Sequence, residues 1–143
     1  MKKTIFLLIL MLTGAITFAQ KPPTVFGKWE NVNDEGKVNS IIEVYEDKGQ
    51  VFGKITRIMK EEDRDRKCTE CPGDLKNEPL EGLVFMRGLE KNDDGYEDGE
   101  VIDPKSGKEY KCKIWLDEDN PDKLHVRGYV AFFYKTKTWN RKK

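Results

Sequence analysis

The strongest constraint on this chain is a period of two. From residue 24 onward, short runs rich in β-branched and aromatic residues alternate apolar with polar side chains, and helical spacing barely occurs. The runs 24–31, 37–46, 50–59, 80–90, 96–102, 108–116, 123–130 and 132–141 are predicted strands. Most are separated by turn-forming clusters such as Asn33-Asp34-Glu35-Gly36, Asp47-Lys48-Gly49 and Asp103-Pro104-Lys105-Ser106-Gly107. One longer polar loop covers 60–79, and its mixed-charge run 60–67 reads as solvated surface. Short turns favour antiparallel neighbours in sequence order. A flat meander leaves two open edges, which closure removes. The predicted fold is therefore all-β, an antiparallel up-and-down barrel of about eight strands.

The first 19 residues break this pattern. Lys2 and Lys3 precede an apolar run from Ile5 to Leu12, and Thr17-Phe18-Ala19 places small residues where a cut is made. Residues 1–19 are expected to be an export signal. That leaves 20–143 as a single barrel domain in the periplasm or outside the cell. The 143 residues carry 26 Lys+Arg against 26 Asp+Glu. This balance lacks the basic footprint of a dedicated nucleic-acid binder. Without the leader the net charge becomes about −2, and the apolar share falls from 37% to roughly a third. So thin a supply suits one sheet closed around a narrow interior. No later stretch is long and apolar enough to span a membrane as a helix.

The first and last strands carry matched features. Gly27-Lys28-Trp29 lies in the first, and Thr138-Trp139-Asn140-Arg141 ends the last. A core tryptophan beside a flexible glycine is the plainer reading of the first motif. In a closed meander, however, these strands are neighbours. Arg141 then reaches over the Trp29 indole and donates to nearby carbonyls. This combination resembles the calycin superfamily of lipocalins and fatty-acid-binding proteins. The resemblance implies that Gly27, Trp29, Trp139 and Arg141 close the bottom of the barrel, a structural role.

A wider similarity spans nearly all of 20–143. Its segments include Glu43-x-Tyr45, Gly53-Lys54-Ile55, Cys68-Thr69-Glu70-Cys71-Pro72-Gly73-Asp74, Gly95-Tyr96-x-x-Gly99 and Asp103-Pro104-x-x-Gly107-x-x-Tyr110. Leu124-x-Val126-Arg127-Gly128-Tyr129 and Thr138-Trp139-x-Arg141 complete them. In that order they resemble the bacterial domain-of-unknown-function family 2147, a group of small exported proteins. That resemblance implies a fold and a compartment and supplies no catalytic residues. Many relatives are Gly-rich before the last motif, where this chain has Ala131-Phe132-Phe133-Tyr134-Lys135.

In an oxidising compartment the three cysteines point first to a disulfide. Cys68 and Cys71, in a loop of turn residues, are the expected pair, bridged to stiffen the loop locally. Cys112 is expected inward on the sixth strand as a small buried hydrophobe. Thiol–disulfide exchange lacks its usual helix N-terminus here. Zinc would need Cys68, Cys71, Cys112 and His125 together, far apart in sequence. Neither a metal nor a cofactor is expected. With one histidine, two serines (Ser40 and Ser106) and no phosphate loop or nucleophile elbow, no enzyme signature stands out.

The expected function is an exported, non-enzymatic binding protein whose calycin-like barrel carries a small apolar ligand. Tyr110, Ile114 and Phe132 are candidate lining residues, with Arg127 as an anchor for a carboxylate or phosphate. The competing readings are a filled core in place of a cavity and an Arg127 turned outward and paired with an acid. The alternative function is a secreted protein-interaction or inhibitor module that uses the 60–79 loop.

Overall fold

The structure, a computed structural model, describes residues 18–143. The expected export signal falls outside the described residues except at its last two positions. Eight strands form in chain order. They are β1 (Gly27–Val32), β2 (Val38–Asp47), β3 (Gln50–Ile58), β4 (Val84–Lys91), β5 (Tyr96–Ile102), β6 (Glu109–Leu116), β7 (Lys123–Val130) and β8 (Phe133–Arg141). Each pairs antiparallel with the next, and β8 returns to β1, so the sheet is a closed up-and-down barrel. The fold is the one predicted.

Two strand starts differ from the alternation pattern by more than one residue, each for a packing reason. β1 begins at Gly27 rather than residue 24. Residues 24–26 instead cross the barrel end, where Val25 is buried and its carbonyl accepts from Trp29 Nε1 at 2.8 Å. β4 begins at Val84 rather than residue 80. Leu80 and Leu83 look strand-like but belong to the loop that leads in, and both pack against the core.

That loop, residues 59–83, is held at several points. Short 3-10 turns form at Glu61–Asp63 and Gly73–Leu75, and Lys67 bridges to Pro79. Cys68 N–H donates to Glu78 O at 2.8 Å and Leu80 N–H to Arg66 O at 2.9 Å. Cys68 and Cys71 are disulfide-bonded, and both are buried in the core cluster. Cys68 Sγ also touches the Pro104 carbonyl at 3.7 Å, which ties the loop to the β5–β6 turn.

The interior is packed unevenly. Trp29, Val51, Met86, Leu89, Ile114 and Leu124 are 0% exposed. Here Gly53 makes room for Met86, since a Cβ at Gly53 would lie 2.6 Å from Met86 Cε. Ile55, Ile58, Phe85 and Val126 each keep 8% exposure. The interior is close-packed around Trp29 and again under the 59–83 loop, where Cys68, Cys71 and Leu83 are buried, and it is least covered along β8, whose residues above Trp139 are exposed.

The closing seam is short. β8 pairs with β7 over eight residue pairs, but with β1 only at Trp29↔Arg141 and Glu30↔Asn140. Among the described residues, β8 from Phe133 to Trp139 has no ladder partner on its β1 side. The sheet therefore closes at one end and parts along this seam toward the other.

Candidate binding site at the open end

At the closed end Arg141 lies against Trp29 with Gly27 beside it, whereas Trp139, expected in the same set, packs on Phe85 farther along β8. Gly27 has φ +122°, a backbone region that residues with side chains rarely adopt, so glycine starts β1 here. Two residues on, Trp29 is fully buried, and the Arg141 guanidinium lies 4.2 Å from its ring centroid. Arg141 Nη1 donates to Phe26 O at 3.2 Å, and Nη2 donates to Thr24 O at 2.8 Å and Pro121 O at 3.0 Å. Its Nε is 3.2 Å from Asp122 Oδ1. One side chain so joins the last strand, the crossing segment 24–26 and the β6–β7 turn.

Toward the opposite end β8 is exposed on both faces. On β8 the alternation that turns Trp139 inward also puts Lys137, Lys135 and Phe133 on the inner face. Their partners on β7 are Leu124, Val126, Gly128 and Val130, the inward set of that strand. Trp139 is buried against Phe85, with ring centroids 6.2 Å apart. Its Nε1 is buried and has no hydrogen-bond partner among the described residues. An unpaired indole N–H is costly to bury, by about 1–3 kcal/mol. It is thus a donor available to an acceptor from outside the chain. Lys137 and Lys135 stand two and four residues above it on the same face, and both are exposed.

Tyr110 is half-buried at this end, beside Gly128. Ile114, by contrast, lies wholly in the solid half, opposite Val126, and fills the core rather than lining a space. Two other expected lining residues lie elsewhere. Phe132 is 97% exposed in the β7–β8 turn, because that turn falls at 131–132 and β8 starts one residue later than the alternation suggested. Arg127 points outward. It lies 4.9 Å from the Trp115 ring centroid and 4.1 Å from that of Tyr134, and it donates to Thr136 Oγ1 at 2.8 Å. It is paired with aromatic rings rather than with an acid, and it anchors nothing inside the barrel.

The remaining chemistry-bearing groups are dispersed. Cys112 is buried, and burial with Glu100 nearby pushes its thiol up to about 12, so it stays protonated. His125 sits on the outer face of β7, packed against Trp115 with the rings tilted and bonded to Asp117 at 2.8 Å. Cys112 and His125 face opposite sides of the sheet, and Cys68 and Cys71 bind each other, so the four do not converge. A solvent-open cleft of about 450 Å³ runs along the 74–84 segment and is lined by Leu75, Pro79 and Leu83 with Asp74, Glu78 and Glu81.

Residues 27–141 match a family model described as an uncharacterised protein conserved in bacteria, DUF2147. Among solved structures, the chain is similar to protein HP1028 of the human pathogen Helicobacter pylori, described as belonging to the lipocalin family. The identity is 20% and the TM-score 0.72, and the match covers 85% of each chain. That likeness is one of fold. No curated protein matches the sequence.

Proposed function

The chain belongs to this bacterial family of uncharacterised proteins, and from that premise we propose that it is an exported, non-enzymatic binding protein. Its ligand sits at the open end of the barrel and is small, because the half around Trp29 is already filled. The ligand combines an apolar body, packed on Phe85 and Val126, with a hydrogen-bond acceptor. The buried, unpartnered Trp139 Nε1 carries this reading: it is a donor with no acceptor among the described residues, beside Phe85. Lys137 and Lys135 on the same inner face favour an acidic group on the ligand. The leader at 1–19 and the disulfide support export.

The test is to purify the protein from a cell that exports it and to analyse it by native mass spectrometry and solvent extraction. A bound amphiphile is expected from the wild type. Trp139→Phe should retain roughly tenfold less of it, the equivalent of one lost hydrogen bond, while still folding with the wild-type circular dichroism spectrum. Recovery of no molecule from the wild type, or equal retention by Trp139→Phe, sinks the proposal.

The pinned loop supports a second reading, a protein contact through residues 60–79. The disulfide, the Lys67–Pro79 bridge and the Pro104 contact order this segment in advance, which lowers the entropic cost of binding a partner.

A further inference from the structure

Seven large hydrophobic residues are exposed among the described residues, and five of them crowd one hairpin tip: Tyr129, Val130, Phe132, Phe133 and Tyr134. Isolated exposed apolar side chains need no explanation, but a contiguous cluster does. The tip is apolar on every side. Tyr129 and Tyr134 pair on the outer face with ring centroids 6.2 Å apart, and Val130 pairs with Phe133 on the inner face. The two-residue turn holds Ala131 at φ +46° and leaves Phe132 outermost, 97% exposed. Because β8 lacks a ladder partner on its β1 side above Trp139, this hairpin end is not sheathed by the sheet.

Charge sorts along the chain in the same place. Residues 123–143 hold seven Lys or Arg and no Asp or Glu, in a chain whose totals balance. Three of the seven, Arg127, Lys135 and Lys137, stand behind the apolar tip. On β6, Lys111 lies opposite Tyr129 and Lys113 opposite Arg127. Glu100 engages Lys111 at 3.5 Å and Arg127 is stacked on Trp115 and Tyr134, so Lys135 and Lys137 form the part of the collar without an ion-pair or aromatic partner among the described residues.

We infer that the β7–β8 hairpin tip docks the protein on an anionic lipid surface. An apolar wedge exposed on both faces suits insertion between lipids better than contact with a flat protein, which would cover one face and leave the other wet. The spacing also fits. Lys135 is three residues behind Phe132, about 10 Å at roughly 3.3 Å per residue. Apolar groups of interfacial elements enter about 5–10 Å into the headgroup boundary, which leaves Lys135 level with lipid phosphates and Lys137 next behind it. Tyr129 and Tyr134 take the intermediate depth that amphipathic aromatic rings prefer.

Co-sedimentation with vesicles tests this, using wild type and variants with the same N-terminus. The wild type should pellet with vesicles of phosphatidylcholine mixed with phosphatidylglycerol, and far less with phosphatidylcholine alone. Phe132→Ser with Phe133→Ser should lower the bound fraction about tenfold or more. Lys135→Gln with Lys137→Gln should lose the preference for the anionic lipid. Phe132→Ser alone removes only an exposed side chain and keeps the test decisive if the double variant folds poorly. Three results overturn the inference: no pelleting of the wild type, pelleting of the Phe132 variants at the wild-type level, or a concentration-dependent dimer that those variants dissolve. The last would assign the tip to a second copy of the chain.

Discussion

At its C-terminal end β8 lays Arg141 against Trp29, three backbone carbonyls and Asp122. Along the same inner face toward its N-terminal end, it holds Lys137, Lys135 and Phe133 exposed. The strand, the face and the alternation are shared, so local sequence preference does not separate the two ends. What separates them is what each side chain finds. Arg141 meets orphan carbonyls supplied by a segment that crosses the barrel, and it ties three elements together with few ladder bonds. The lysines meet no such partners. Closure is thereby concentrated in two residue pairs and one guanidinium, and the rest of β8 is left free for contacts beyond the chain.

The sharpest way to break this comparison is to truncate one residue at each end of that face. Arg141→Ala strands carbonyls that now have a charged donor and removes the cation–π contact. Arg141 is about a quarter exposed, so screening reduces its contribution only in part. The expected loss is about 2–3 kcal/mol of unfolding free energy. Lys137→Ala, four residues earlier, should change stability by no more than about 0.5 kcal/mol. Urea denaturation of the two variants measures the difference. Equal losses would show that closure is spread along the seam, and that the two ends do not differ as described.

The disulfide probes the roof of the barrel on its β3–β6 side. Cys68 and Cys71 are three apart, and so small a ring restricts the unfolded chain modestly, by about 2 kcal/mol at most. Both sulfurs are buried, so Cys68→Ser with Cys71→Ser should act chiefly on the loop. Limited proteolysis is expected to cut within 60–79 in the double serine variant while β1–β8 remain resistant. Cuts spread over the strands instead would mean that the loop supports the whole barrel, not only its rim.

The sequence carries some of this plainly and hides the rest, and the reasons are physical. The eight strands are readable because each is short and rich in β-branched or aromatic residues, and all but the β7–β8 connection carry Gly, Asp, Asn or Pro turn signals. The Gly27, Trp29 and Arg141 set is readable because barrel closure makes the first and last strands adjacent. The β7–β8 turn is harder: Ala131-Phe132 lacks the usual turn residues, so Phe132 reads as strand and its side chain is placed inside. Arg127 depends on the same parity. With Leu124 and Val126 inward, a single step of register decides whether a lone arginine points in or out. Ile114 reads as inward with lining and core both open, since burial depth depends on Met86, Leu89 and Trp29 from distant strands. Trp139 Nε1 has no sequence signal, because an unsatisfied donor exists only once every neighbour is in place.

The smallest expected effect lies at the closed end, in the β6–β7 turn that also supplies Pro121 and Asp122 to Arg141. Asp117 Oδ1 accepts from the backbone N–H groups of Asp119 and Asn120 at 3.0 and 2.9 Å, and its Oδ2 is bonded to His125 Nε2 at 2.8 Å. The His125 bond first, and then the backbone donors, hold its carboxyl below the ordinary aspartate range. A carboxyl depressed in the folded state stabilises it fully above the ordinary value of about 3.9, and that contribution is lost as pH falls through the lowered value. Asp117→Asn keeps the shape and removes the charge. The thermal transition of the wild type should therefore exceed that of Asp117→Asn at neutral pH, and the gap should close as the pH drops below about 3.9. Asp117 is solvent-accessible, so the gap is expected to be small. A gap that persists unchanged into strong acid would show that the turn is held by its shape alone, and that this part of the closed end owes nothing to the charge on Asp117.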